Sequence, residues 1–135
     1  MNRAAHPAGA LYDGRTFRST APETASGGSG PARSPVGSYH QHGDLVWAEF
    51  SGGAVREGRL VGRCGADGVI TAAYCQVLDG GEVVSGQCVS RPERLQDGRL
   101  RLREEWCRAD GSRGTSFIEE VAEEAAEEAI EGVRT

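Results

Sequence analysis

The sequence predicts an all-β protein: an antiparallel meander of seven to eight strands closing into a small barrel or half-barrel, followed by a short C-terminal acidic helix. Three observations predict it. Reverse-turn chemistry recurs from SGG at 51–53 to DGSRG at 110–114, cutting the chain into segments of about ten residues. Those segments have strand character, and the clearest of them alternates with period two. Twenty glycines in 135 residues are too many breakers for a mostly helical chain, and the length allows one domain.

The elements follow in order. Residues 1–13 read as an N-terminal tail, and a single barrel domain is expected over 14–121, with a first strand at 14–19 around RTFRS. Residues 20–36 fall in a Pro/Gly/Ser/Ala-rich stretch without apolar periodicity, which predicts a flexible loop. Strands are then predicted near 38–42, 44–51, 54–63, 69–78, 82–91, 98–107 and 115–121. The turns between them include ADG at 66–68, LDGG at 78–81 and QDG at 96–98, where Asp-Gly and Gly-Gly supply the positive φ of tight hairpins. Such a meander exposes two edges unless it closes. Gly58 and Gly62 interrupt their strand, and are expected to mark the bends or bulges of closure. Residues 122–135 read as an acidic helical tail. Its thin stripe of Val121, Ala125, Ala129 and Ile130 is weakened by like charges at Glu119, Glu123, Glu127 and Glu131.

The net charge of −5 divides unevenly. Residues 1–118 carry 14 Arg against 13 acidic groups, whereas 119–135 carry seven Glu against Arg134. A near-neutral body without a basic block gives no electrostatic case for nucleic acid. No run of 18 apolar residues predicts a membrane span, and the opening residues lack a signal-peptide apolar stretch, so a cytoplasmic protein is expected. Cys64, Cys75, Cys88 and Cys107 are then expected as reduced thiols. Lysine is absent, which excludes a Lys Schiff base and a phosphate-loop lysine.

Alternation sorts the faces. In 98–107, Leu100, Leu102, Glu104 and Trp106 share one side, while Arg99, Arg101, Arg103 and Glu105 share the other. Glu104 and Trp106 are therefore read as pointing into the barrel and marking its pocket. In 69–78 both faces are apolar enough to be inner, and Tyr74 and Gln76 are read inward. A carboxylate on an apolar face must be paired or protonated, and Arg56 and Arg91 are its candidate partners. Glu49, beside Trp47 in a similar Trp/Glu arrangement, is the second carboxylate expected to face this space. The candidate ligand site is thus Glu104, Trp106, Glu49, Trp47, Tyr74, Gln76, Arg56 and Arg91. Two inward carboxylates near an arginine suit a cationic or amide-bearing ligand, or general acid/base chemistry. The competing reading is a buried ion pair that only holds two strands in register.

Other constellations point less far. The four cysteines contain no C-x-x-C pair, so no metal site is expected, and those inside strands read as small buried hydrophobes. His40 and His42 share a strand face near Asp44 and Glu49, a two-ligand spacing that reads as surface histidines beside a turn. No Ser lies in a G-x-S-x-G elbow, and there is no dinucleotide glycine fingerprint. Tyr39, Phe50 and Phe117 join Trp47, Tyr74 and Trp106 as aromatics expected in the barrel interior.

Six motifs in order, DGRTFR at 13–18, YHQHGDLVW at 39–47, FSGGAVREGRLVG at 50–62, SGQCVSR at 85–91, GRLRLREEW at 98–106 and GTSFIEEV at 114–121, resemble a largely uncharacterised family of small bacterial proteins. Its members often carry the name N-acetylglutamate synthase, which implies acetyl transfer to glutamate but supplies no catalytic residue to carry over. The residues themselves offer no acetyl-CoA pyrophosphate loop. The nearest approach, RLVGRC at 59–64, has Cys64 where Gly or Ala belongs and leads to a turn and a strand, not a helix. The function expected is a small-molecule-binding barrel of the lipocalin or avidin architectural type, without a cofactor. The alternatives are an enzyme using pocket carboxylates for acid/base chemistry and a protein-interaction module. The sequence leaves the ligand, any catalysis and the oligomeric state open.

Overall fold

The structure, a computed structural model, describes residues 11–20 and 35–122. Eight antiparallel strands run in chain order around a closed barrel: β1 (Thr16–Thr20), β2 (Val36–His42), β3 (Leu45–Gly52), β4 (Val55–Cys64), β5 (Ile70–Leu78), β6 (Val83–Arg94), β7 (Leu100–Arg108) and β8 (Arg113–Glu120). The seam is the pairing of β1 with β8, Phe17 against Glu120 through Thr20 against Phe117, and it removes both edges of the meander. Arg15 reinforces it with two bonds of 2.8 and 2.7 Å to the Glu120 carboxylate. That carboxylate also accepts the Leu100 amide at 3.0 Å.

The turns that end β4, β6 and β7 share one construction. In each, an Asp precedes a glycine of positive φ, and its carboxylate accepts the amide two residues on: Asp67 from Val69, Asp97 from Arg99, Asp110 from Ser112. The expected bulge adjoins Gly58, where the β3–β4 register shifts between Phe50 opposite Gly58 and Gly52 opposite Val55, whereas Gly62 pairs regularly. The β4–β5 register skips Arg56, between Val55 opposite Leu78 and Glu57 opposite Val77.

Gly58 and its counterparts have a further task. Phe50, Tyr74 and Trp106 each sit directly across a hairpin from a glycine: Gly58, Gly86 and Gly114. Any Cβ at these glycines would collide, with the Phe50 ring at Gly58, the Cys107 carbonyl and Tyr74 hydroxyl at Gly86, and the Trp106 ring at Gly114. Three hairpins thus repeat one device, an aromatic ring accommodated beside a residue without a side chain.

The core sits toward the rim that carries the β2–β3, β4–β5 and β6–β7 turns. Val46, Ile70, Leu100 and Leu102 fill it, and Tyr12 and Phe17 are buried among them. Tyr12 closes this end. Its hydroxyl donates to the Gly68 carbonyl, and its amide donates to Gln41 Oε1 at 3.0 Å, while Asp13 accepts the Gln41 amide at 2.9 Å. Residues 11–13 therefore belong to the barrel, against the tail expected over 1–13, whose residues 1–10 lie outside the described residues. Most of the 20–36 loop and all but Ala122 of the 122–135 helix lie outside the described residues.

Candidate functional site

Above this core the barrel encloses a cavity of about 320 Å³, bounded by inward residues of all eight strands. Its lower part is formed by Phe17, Tyr39, Leu60, Cys88, Glu104 and Ile118, and its upper part by Phe50, Tyr74, Gln76, Trp106 and Arg108. The lining is therefore largely apolar and aromatic with a few polar groups on fixed strands, as small-ligand sites are.

Glu104 lies between Ser90 on β6 and Ser116 on β8, its direct cross-strand neighbours. Its one hydrogen bond among the described residues is a long one, 3.4 Å from the Ser90 hydroxyl. Burial in this setting pushes its carboxyl from an ordinary 4.5 up to about 7, with the Ser90 hydroxyl opposing the rise. The same burial lifts its neighbours. Tyr39 stands well above its ordinary value and Cys88 is pushed up to about 12, each raised further by the Glu104 charge. The carboxyl is thus poised to donate or accept a proton-bearing contact near neutrality.

Four of the eight predicted site residues meet in this cavity: Glu104, Trp106, Tyr74 and Gln76 all line it. The other four are corrected. Trp47 and Glu49 project from the outer wall, where Trp47 stacks on His40 at 5.4 Å and Glu49 binds His40 Nε2 at 2.7 Å. On β3 the inward positions are Val46, Ala48 and Phe50, because the interior already takes the Tyr39 and Phe50 rings and leaves Ala48 as the small residue between them. Arg56 is exposed at the bulge, and Arg91 is exposed on the outer wall, 3.8 Å from Glu105. No arginine therefore pairs with Glu104 among the described residues, and the expected register-holding ion pair is not formed.

Phe117 is likewise outside, beneath the Arg101 guanidinium. Of Cys75, Cys88 and Cys107, expected as buried strand cysteines, Cys88 is buried while Cys75 and Cys107 are exposed; Cys64, at the end of β4, is buried as well. The residue missed from sequence is Arg108. It continues the inward series Leu102, Glu104, Trp106, but its position beside the DGSRG turn disguises it as a solvated turn residue.

An eight-stranded meander closed on itself around a cavity of this kind is the setting in which the family comparison is decisive. The model of the avidin-like protein family matches residues 10–121. The chain belongs to the avidin-like family. Barrels of this family bind small molecules such as biotin, and this chain is a small-molecule-binding β-barrel whose ligand is unidentified. No curated protein and no solved structure matches the chain. The family match covers the whole barrel, from the Tyr12 plug to the end of β8.

Proposed function

We propose that this avidin-like chain holds its ligand in the barrel cavity, with Glu104 at the floor and Trp106, Tyr74 and Gln76 along the wall. One observation carries the assignment: a largely buried carboxyl with no charged partner among the described residues faces cavity space. A group in that position costs stability, and a ligand hydrogen bond is what offsets it. A cytoplasmic, bacterial setting is part of the proposal, and the four free thiols are consistent with a reducing compartment. Charged side chains on the outer wall, including Arg63 with Asp44 and Arg101 with Glu93, favour water over lipid around the barrel.

Acid/base catalysis is the second reading, favoured only by the Glu104 carboxyl at about 7. Glu49 on the outer wall removes the second carboxylate that reading used. The N-acetylglutamate synthase name would further require a pyrophosphate cradle, and 59–64 lies within β4 as extended strand. Thermal-shift screening of a metabolite library tests the proposal, since a ligand bound to the folded state raises the melting temperature by mass action. Hits should lose their effect in Ser116→Phe, which fills the cavity. Hits that stabilise both proteins equally would place binding elsewhere.

A further inference from the structure

The upper end of the cavity holds a guanidinium with no carboxylate in salt-bridge contact among the described residues. Arg108 lines the cavity and forms no salt bridge among the described residues. Its Nε is buried without a hydrogen-bond partner among those residues. The side chain is held in place by its neighbours: the guanidinium lies 5.4 Å from the Trp106 ring centroid and beside the Tyr74 hydroxyl. Gly86 makes this possible, because it pairs with Tyr74 on one side and Arg108 on the other. A Cβ there would lie 2.8 Å from the Tyr74 hydroxyl and 3.0 Å from Arg108 Cα, so the two side chains meet over a bare backbone.

We propose that Arg108 is an anion subsite, and that the ligand is an apolar molecule carrying a carboxylate which Arg108 and Tyr74 hold at the upper end of the cavity. This rests on the ligand-binding reading of the cavity and adds the chemical class. A half-buried guanidinium whose Nε is buried and without a partner among the described residues offers two parallel donors in the fork that a planar carboxylate matches. The apolar body follows from the wall between, formed by Phe50, Leu60, Trp106 and Ile118. The length follows from the strand. Glu104 and Arg108 are four residues apart on one face of β7, about 13 Å at the usual rise per residue. An eight-carbon chain is therefore a suitable probe.

Calorimetric titration of the full chain with octanoate, octanol and octylamine at about pH 6 tests this, since octanoate is ionised there. Octanoate should bind about tenfold or more tighter than octanol. Arg108→Gln should abolish that preference while still binding octanol, which also shows that the variant keeps its pocket. Arg113→Gln, which removes an exposed charge from the outer wall, should keep the preference. Equal binding of octanoate and octanol by the unmodified chain, or a preference surviving Arg108→Gln, overturns the anion subsite and leaves the cavity as a ligand site. Tighter binding of octylamine overturns it too, assigning the selectivity to Glu104. Failure of all three to bind overturns the subsite, while the cavity reading stands or falls on the thermal-shift screen with Ser116→Phe.

Discussion

The indole of Trp106 lies over Gly114, its partner directly across the β7–β8 ladder, so that a Cβ on Gly114 would come within 2.5 Å of the ring. The glycine is therefore what allows an indole to line the cavity. Gly114→Ala should destabilise the barrel by about 1–3 kcal/mol through overpacking. It should also shift the emission of Trp106. Gly86→Ala should cost more in urea denaturation, because its first clash is with a backbone carbonyl that cannot rotate away. Equal stability of both variants and the parent would remove this account of the glycines.

Glu104 links stability to pH with a definite sign. Its folded carboxyl is raised to about 7 from 4.5, so the fold holds the proton more tightly than the unfolded chain does. The group disfavours folding increasingly as pH rises above about 4.5, and the full penalty is present above 7. That rise corresponds to at most about 3 kcal/mol, an upper bound because the carboxyl also borders the cavity. Glu104→Gln should match the parent at pH 4 and exceed it in stability at pH 8. A variant less stable than the parent at pH 8 by about 2 kcal/mol would instead make Glu104 a structural residue.

Thiol accessibility should divide in two. Cys75 and Cys107 are exposed and should react with a thiol reagent in the native protein. Cys64 and Cys88 should react only on unfolding, Cys88 most slowly, its thiol being pushed up to about 12. Four fast-reacting thiols would show that the barrel opens around Cys88, and fewer than four thiols after unfolding without reductant would reveal a disulfide.

Tyr12 should behave as core although it precedes the first strand. Tyr12→Ala removes a fully buried ring and the hydroxyl that donates to the Gly68 carbonyl, and should cost about 3–5 kcal/mol. A loss below about 1 kcal/mol in chemical denaturation would mean that residues 11–13 are a tail after all.

The sequence makes the strand count, the antiparallel order and closure legible because the turn chemistry is explicit at Asp67-Gly68, Asp97-Gly98 and Asp110-Gly111. It also shows the inner face of β7, since arginines mark the opposite side unambiguously. β3 is less readable. Leu45, Trp47 and Glu49 on one side and Val46, Ala48 and Phe50 on the other are both plausible core sets, and the larger aromatic faces outward. What decides it is packing from other strands, above all Gly58 making room for Phe50, which no local alternation contains. Arg108 escaped for a related reason: an arginine at a strand end is usually solvated, and only the register with Gly86 turns it over the cavity.

Occupancy of the cavity is the central claim, and Trp106 reports on it directly. In a Trp47→Phe background, which removes the outer indole stacked on His40, Trp106 is the remaining tryptophan. Its fluorescence should change saturably when a ligand found by screening is titrated in, and the change should vanish in the additional presence of Ser116→Phe. An unaltered Trp106 signal during stoichiometric binding seen by calorimetry would contradict a ligand site inside the barrel.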